Sequence, residues 1–270
     1  MLDALSIPNK LLLPLCFAIM TISTIGIIGF GRFGKLFATS LAGDFDVRVF
    51  EPELPPQSLA PRIQAVSLKE ALHTDCVVLC IPIVHFEGVV GQIQPLLPEG
   101  TPVLDVCSVK LHPARVMREF LRPTSPILPT HPMFGPVSAK DGWANLPFVL
   151  CPENDATPQE MALLNFWRDY ITTRHNARAV TMSADDHDRI TAYNLCLTQL
   201  LGRVLGNIGI QSSPIDAQSF KHLLSMKDMS YSDSMDLLIG MHRYNPYSAE
   251  MRARLRGELE HIEMLLTEGM

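Results

Sequence analysis

The sequence predicts an α/β fold with a doubly wound, mainly parallel sheet that is followed by an all-helical segment. Up to about residue 180, short apolar runs alternate with stretches of helical periodicity. Beyond that point only helical patterns are evident. We therefore expect a first domain over residues 20–180 and a helical domain over residues 181–270.

Strands of the first domain are predicted where β-branched and other apolar residues cluster between turn signals. The predicted strands begin at Thr24 and then cover residues 46–51, 76–82, 101–109, 125–132 and 147–152. A helix is expected to follow the first strand, because Phe33, Phe37 and Leu41 recur at helical spacing. Another helical stretch covers residues 85–97, and alternation of this kind favours parallel strands.

The helical domain is predicted to begin at Ser183, a good N-cap residue that precedes Asp185 and Asp186. The apolar residues that follow keep a helical period as far as Ile208. A second amphipathic stretch begins at Ser248. Wide apolar stripes in a small helical domain suggest pairing with a second copy of the chain, although packing on the first domain is the alternative.

Composition excludes several classes of protein. Of the 270 residues, 47% are hydrophobic and 19% are charged, so a large core is expected. The net charge of -6 and the lack of a Lys/Arg run argue against a nucleic-acid partner. The six cysteines form no CxxC pair and no zinc spacing, which predicts no metal site and suits a reducing cytoplasm.

The apolar run at residues 11–22 is too short to span a membrane, so no membrane partner is expected. It leads directly into the first predicted strand, which leaves no room for signal-peptide cleavage. We expect residues 1–19 to be an N-terminal extension, and a start codon assigned upstream of Met20 is the alternative.

A glycine-rich turn joins the first strand to the first helix. Its sequence has the GxGxxG pattern of Rossmann-type dinucleotide-binding folds, and we assign to cofactor binding the six residues Gly29, Phe30, Gly31, Arg32, Phe33 and Gly34. The first glycine allows the tight turn, the second lets the backbone approach a pyrophosphate, and the third lets the helix lie close to the sheet. Free N–H groups at the helix N-terminus favour phosphate.

The kind of dinucleotide is predicted from Glu51, which stands about twenty residues downstream at the end of the second strand. A carboxylate there accepts hydrogen bonds from ribose hydroxyls and repels a 2′-phosphate, so NAD is favoured over NADP. Arg32 and Arg48 lie close in sequence to the glycine-rich turn and to Glu51. Because an arginine at such a site accommodates a 2′-phosphate, NADP is kept as the alternative. Ile81 and Pro82 end a neighbouring strand and are also assigned to the cofactor.

A histidine is embedded in a rigid loop with the sequence ILPTHPMFGPVSAKDG. Prolines fix φ and glycines permit unusual φ, so His131 is held in one orientation. Histidine titrates near neutrality and can take a proton from an alcohol while a hydride leaves the carbon. Ser108 and Lys110 follow a neighbouring strand and are expected at the same edge of the sheet.

Three sequence segments together resemble the prephenate/arogenate dehydrogenases of tyrosine biosynthesis. They are DVCSVK, LPTHPMFGPVSAKDGWANLPFVLCP and ADDHDRITAYNLCLTQLLGR. The resemblance runs from about Thr24 to the C-terminus and implies NAD-dependent oxidation of a cyclohexadienol at its C4 hydroxyl, with release of CO2. It also implies a homodimer formed by the helical domain.

Roles for individual residues follow from this resemblance. His131 would bind the C4 hydroxyl and help to remove its proton, and Ser108 would position that hydroxyl and the nicotinamide. His187 would line the substrate pocket from the helical domain, although a capping or core histidine is equally compatible with the sequence. Lys110 is assigned to substrate binding.

One departure concerns the substrate. Prephenate-preferring bacterial members carry an arginine near Gly240, which pairs with the side-chain carboxylate, whereas the nearest arginine here is Arg243. The surrounding RYNPYSAE is more similar to plant-type arogenate enzymes. The substrate side chain of arogenate carries an ammonium group, so this departure favours arogenate slightly, and Arg243 remains a candidate substrate ligand.

Two other functions are compatible with this sequence. β-Hydroxyacid and imine-type dehydrogenases also join a Rossmann domain to helices, but they usually rely on a lysine in the helical domain. The first long helix here offers Arg189 and Arg203 instead. A dinucleotide-sensing regulator without turnover is the non-enzymatic alternative, against which Ser108, Lys110 and His131 argue.

Overall fold

The computed structural model describes residues 20–268. The N-terminal extension predicted over residues 1–19 lies outside the described residues. The strands are β1 Thr24–Ile28, β2 Asp46–Phe50, β3 Gln57–Ala60, β4 Ile63–Ala65, β5 Cys76–Leu79, β6 Val103–Asp105, β7 Ile127–Pro132, β8 Pro147–Leu150 and β9 Arg178–Thr181.

Ten α-helices are present in the described part of the chain. They are α1 Arg32–Leu41, α2 Leu68–Leu72, α3 Phe86–Ile93, α4 Leu111–Phe120, α5 Pro158–His175, α6 Ala184–Thr191, α7 Leu197–Ile208, α8 Gln218–Ser232, α9 Met235–Tyr244 and α10 Ser248–Thr267. Short 3₁₀ turns flank α3, and a π-helical turn at Ala192–Cys196 joins α6 to α7.

The nine strands form one sheet in the order β3-β4-β2-β1-β5-β6-β7-β8-β9. Strands β4, β2, β1, β5, β6 and β7 are parallel to their neighbours. Strand β3 is antiparallel to β4, and β8 is antiparallel to β7. The predicted α/β architecture with a helical C-terminal region is confirmed, whereas the domain boundary near residue 180 stays a prediction.

The structure corrects several strand predictions. Strands β3, β4 and β9 were not predicted, because β3 is largely exposed and β4 has only three residues. The strand predicted over residues 101–109 ends at Asp105. The carboxylate of Asp105 accepts the N–H of Cys107, and this turns the chain out of the sheet.

Two apolar cores cover the two faces of the sheet, because successive residues of one strand point to opposite faces. Ile27 and Val78 belong to a core with α1 and α5, and this core includes a stack of Phe37 on Trp143 with ring centroids 5.5 Å apart. Val77 and Leu79 belong to the core with α3 and α4. The sheet is thereby held between two layers of helices.

The helices beyond β9 bury less apolar surface than the sheet region. Cys196, Met241 and Met251 form a small core of their own, and α7 packs along α8. Within residues 20–268 there is no helix that is both long enough and apolar enough to cross a membrane.

Candidate active site

The order of the strands creates a topological switch point between β1 and β5. From β1 the chain first extends the sheet through β2 and β4, and then returns to place β5 on the other side of β1. Ligands of open α/β sheets bind at such a switch point, beyond the carboxyl ends of the strands. The glycine-rich loop leaves β1 at this edge, and Ile81 and Pro82 follow β5 there.

The glycines of this loop differ in what surrounds them. Gly29 has a φ of +99°, and a Cβ on it would lie 2.3 Å from the carbonyl oxygen of Cys80. A Cβ on Gly34 would lie 2.2 Å from the carbonyl oxygen of Gly29. A Cβ on Gly31 would meet no described atom within 4 Å. The protein itself therefore requires Gly29 and Gly34, and the space above Gly31 is open for a ligand.

The N-terminus of α1 has the chemistry that a pyrophosphate requires. Gly31 caps the helix without a side-chain hydrogen bond, and no acidic residue stands in the first turn. The first N–H groups of α1 and the positive end of its dipole are therefore available to an anion. These features fit a dinucleotide, which would be held by the loop from Gly29 to Gly34.

Glu51 stands at the end of β2 beside the same loop. Its Oε2 atom accepts the N–H of Phe30 at 2.7 Å, which ties the carboxylate to the glycine turn. The Oε1 atom has no hydrogen-bond partner among the described residues. The position at a strand end next to the loop is the one that a ribose-binding carboxylate requires.

Arg32 and Arg48, the two arginines that make NADP an alternative, both have partners within the protein. Arg32 donates to the carbonyl of Ser232 and lies 3.6 Å from a carboxylate oxygen of Asp233. Arg48 extends from β2 towards α2, where it donates to the carbonyl of Glu70 within this helix and to the carbonyl of His73 just after it. Neither guanidinium forms an ion pair with Glu51.

His131 lies in β7, which runs parallel to β6 at the same edge of the sheet. Its ring is only 5% exposed. The loop that follows is anchored by Phe134 and Trp143, which are both buried in the aromatic core. The rigidity that the prolines predict thus has a second source in this aromatic anchoring.

Histidine 187 lies against His131 and is almost completely buried. The Nε2 atom of His187 lies 2.9 Å from Nδ1 of His131, and its Nδ1 atom lies 2.7 Å from Oδ1 of Asp188. Both ring nitrogens of His187 are therefore engaged within the protein. These contacts show that His187 supports His131 from α6, and its role as a lining residue of the substrate pocket stays a prediction.

Burial lowers the pKa of both histidines. The pKa of His131 lies well below its usual value of 6.5, first because of burial and then because of the neighbouring His187 and Lys110. Burial likewise lowers the pKa of His187, although the Asp188 carboxylate opposes this effect. Both rings are therefore neutral near pH 7, as a proton acceptor must be.

Lys110 is completely buried, and its role in substrate binding stays a prediction. Its ammonium group donates to the Asp105 carboxylate and to the carbonyl of Thr130. Asp105 also accepts the N–H of Thr130 at 3.2 Å, next to His131. Lys110 therefore supports the strand that carries the histidine.

Ser108 and Arg243 differ from these buried groups. Ser108 is half-buried beyond β6, and no hydrogen bond joins its hydroxyl to another described residue. Arg243 is exposed in the last turn of α9, without an ion pair to the part of the chain described. Gly240 packs against Ile83, which brings α9 close to the loop after β5. The substrate roles of Ser108 and Arg243 stay predictions.

Sequence reasoning missed three polar residues of this region, namely Asp105, Thr130 and Asp188. All three are completely buried. A signal for Asp188 exists, because His187, Asp188 and Thr191 place polar side chains on the buried side of α6. Among residues 20–268 no group of three or more His, Cys, Asp and Glu side chains is arranged to hold a metal ion.

Comparison with known proteins gives relatives for nearly the whole chain. Residues 61–176 match the family model described as prephenate dehydrogenase, nucleotide-binding domain, and residues 204–270 match a model described as TYRAAT1-like, C-terminal domain. Arogenate dehydrogenase 2 of Arabidopsis thaliana, a chloroplastic protein, is 32% identical over 88% of this chain and 68% of its own length. Arogenate dehydrogenase 1 of the same plant is 30% identical over 90% of this chain, which spans 39% of that relative.

A solved structure shows the same fold. Prephenate dehydrogenase of A. aeolicus, in complex with hydroxyphenyl propionate and NAD+, superposes with a TM-score of 0.68 at 17% sequence identity. The superposition covers 92% of each chain. This protein therefore has the same arrangement of sheet and helical region as that structure.

Proposed function

Because the chain belongs to the prephenate/arogenate dehydrogenase family, we propose that it oxidises a cyclohexadienyl substrate with a nicotinamide dinucleotide in tyrosine biosynthesis. The substrate is arogenate, prephenate or both. The C4 carbon loses a hydride, the C4 hydroxyl loses its proton, and the ring carboxylate leaves as CO2. The ring becomes aromatic, and this drives the decarboxylation.

The observation that carries this proposal is the orientation of His131. One ring nitrogen contacts His187, and the other has no partner in the described structure. A neutral imidazole can accept the proton of the C4 hydroxyl through that free Nε2 atom. Ser108 extends from the adjacent strand end, where its hydroxyl can position the substrate hydroxyl.

The cofactor would be held by the glycine loop, the N-terminus of α1 and the strand-end residues Ile81 and Pro82. When bound, the nicotinamide supplies the acceptor for the hydride. We propose that NAD is preferred over NADP. The free Oε1 atom of Glu51 supports this, as do the contacts that hold Arg32 and Arg48 elsewhere.

Arogenate is proposed as the preferred substrate, with support from the two plant relatives and the absence of an arginine at Gly240. The β-hydroxyacid and imine-type alternative has less support, because α6 and α7, the first helices of the helical domain, carry Arg189 and Arg203 but no lysine. A cytoplasmic location stays a prediction. The described cysteines are free thiols: Cys76, Cys80, Cys107, Cys151 and Cys196.

We further propose a homodimer formed by the helical domain. Large apolar side chains are exposed along one side of α10, at Leu259, Ile262 and Leu266. Their spacing of three and four residues places them on one helix face. An exposed apolar stripe of this kind favours association with a second copy.

The experiment that tests the function measures NAD reduction by the purified protein with arogenate and with prephenate, each repeated with NADP. We expect turnover with arogenate and NAD. In His131→Asn the rate should fall by about 10²–10⁴-fold, the usual contribution of a general base. His261→Asn, which changes an exposed histidine of α10, is the matched control and should keep the full rate. Binding of NAD without turnover on either substrate would favour the sensor alternative.

A further inference from the structure

Three side chains form a continuous hydrogen-bonded line that ends at the nitrogen proposed to accept the substrate proton. Asp188 Oδ1 lies 2.7 Å from Nδ1 of His187, and Nε2 of His187 lies 2.9 Å from Nδ1 of His131. His131 comes from β7, whereas the other two come from α6. All three side chains are buried.

The direction of hydrogen-bond donation along these three side chains is fixed by Asp188. Besides the His187 ring, the Asp188 carboxylate faces two backbone donors, the N–H groups of Lys110 at 2.7 Å and of Leu111 at 2.9 Å. A carboxylate surrounded by donors acts only as an acceptor. The Nδ1 atom of His187 must therefore carry the hydrogen that this bond requires.

In each neutral imidazole, the nitrogen that donates determines that the other nitrogen accepts. A neutral ring has one N–H, so a His187 ring protonated at Nδ1 presents an unshared electron pair at Nε2. That pair requires a hydrogen on Nδ1 of His131. The Nε2 atom of His131 is then left without a hydrogen and with its electron pair free for a hydroxyl donor.

The surrounding charges are compatible with two neutral rings. The nearest cation, the Lys110 ammonium, is neutralised by Asp105 in a buried ion pair. Burial lowers the pKa of both rings and so keeps the second proton off each of them. The Cys151 thiol at the end of β8 stays protonated, because burial raises its pKa to about 12.

The Asp188 carboxylate is held in place from two sides. Its bonds to the N–H groups of Lys110 and Leu111 attach α6 to the beginning of α4. The carbonyl group of Asp188 accepts a hydrogen bond from Nδ2 of buried Asn245 at 2.7 Å. Neither the backbone nor the carboxylate can turn away from His187 without breaking these bonds.

We propose that Asp188 is a positioning residue that acts through His187 to fix the tautomer of His131, so that His131 Nε2 is an acceptor for the substrate hydroxyl. This inference rests on the proposed function for its catalytic consequence. The tautomers themselves are properties of the protein alone. A chemical measurement on the free protein therefore tests them independently of turnover.

The first experiment measures the ring nitrogen chemical shifts of isotope-labelled histidines by NMR near neutral pH. His131→Gln and His187→Gln assign the two rings. We expect both rings to be protonated at Nδ1 and not at Nε2. Protonation of His131 at Nε2, or at both nitrogens, would overturn the proposal. Where a variant fails to fold, through-bond correlations from the backbone to the ring in the wild-type protein assign the two histidines instead.

The second experiment uses Asp188→Asn. Oδ1 of Asp188 accepts from both His187 and Lys110, and Oδ2 accepts from Leu111, so in either orientation the asparagine NH2 group faces a backbone N–H. The neutral amide therefore holds the hydrogen on Nδ1 of His187 less firmly than the carboxylate does, and the tautomer of His131 is no longer fixed. We expect the NMR spectrum to show a population of His131 that carries its hydrogen on Nε2. We also expect a fall in kcat of about 10²-fold or more, with a smaller change in KM, as for other histidine bases held in the wrong tautomer.

Asp186→Asn is the matched control, because it makes the same change on an exposed carboxylate of the same helix. It should keep both the wild-type tautomers and the wild-type kcat. An Asp188→Asn protein with the wild-type tautomers and a kcat within about two-fold of normal would overturn the proposal. Lack of turnover in the wild-type protein contradicts the proposed function instead, and the tautomers still decide on the role of Asp188.

Discussion

The Lys110 ammonium group and the Asp105 carboxylate form an ion pair inside the protein, and both side chains are completely buried. Asp105 ends β6, and Thr130, in the neighbouring strand β7, bonds to both partners of the pair. The pair therefore joins the two strand ends that carry Ser108 and His131. Lys110, for which the sequence analysis predicts a role in substrate binding, is thus also an internal support of these strand ends.

Lys110→Met should destabilise the protein strongly. It leaves the Asp105 carboxylate buried without its cation, and breaking such a pair costs about 3–5 kcal/mol. The free energy of unfolding from urea denaturation measures this loss. The double variant Lys110→Met with Asp105→Asn has no unpaired buried carboxylate and should therefore regain part of the lost free energy of unfolding. Equal stability of the Lys110→Met and wild-type proteins would show that the pair has no such role.

Glu51 is expected to control the choice of dinucleotide. In Glu51→Gln the negative charge that repels a 2′-phosphate is lost, while the amide oxygen can still accept the N–H of Phe30. The ratio of kcat/KM for NADP to that for NAD should rise by about tenfold, because one close charge contact contributes on the order of 1–2 kcal/mol. Glu53→Gln changes an exposed carboxylate in the following loop and serves as the control. An unchanged ratio would exclude Glu51 as the determinant.

The depressed pKa of His131 predicts an unusual acid limb in the rate profile. The proposed reaction needs a neutral ring, and burial keeps this ring neutral well below pH 6.5. We therefore expect kcat/KM to hold its value as the pH falls through 6.5 and to decline only at a distinctly lower pH. Steady-state rates across the acid range measure this. A midpoint at the ordinary histidine value would contradict the buried environment of His131.

The same shift affects stability, with a sign that follows from proton binding. Below pH 6.5 the unfolded chain binds a proton at His131, whereas the folded protein does not until its lower pKa is reached. The unfolded state is thus favoured as the pH falls, and the free energy of unfolding should decrease from pH 6.5 downwards. His131→Gln should flatten this dependence. An equal slope in both proteins would argue against the shift.

The dinucleotide loop could be predicted from sequence because its constraints are local. Gly29 has a positive φ, and a Cβ on Gly34 would collide with the carbonyl oxygen of Gly29, so a short motif encodes both requirements. The strand β4 could not be predicted in the same way, since three residues carry too little periodicity. The antiparallel direction of β8 depends on the path of the connection after β7, which the periodicity of the strands does not show.

The inner part of the candidate site was harder to predict. The sequence identified His131, Lys110 and His187 as candidates but did not predict which partners their side chains have, because only the fold shows which polar groups face one another. Asp188 bonds to Lys110, which is 78 positions away in the chain. Buried polar pairs of this kind follow from packing between elements and leave only a weak local signal.

The exposed stripe on α10 leads to a prediction about assembly. If Ile262 and Leu266 lie in a dimer interface, then Ile262→Glu with Leu266→Glu places two carboxylates in an apolar contact, which opposes association. We expect the wild-type protein to sediment as a dimer and the double variant as a monomer at the same concentration. Met264→Glu introduces the same kind of change on the opposite side of the helix and should remain dimeric. A wild-type protein that sediments as a monomer would remove the basis for this interface.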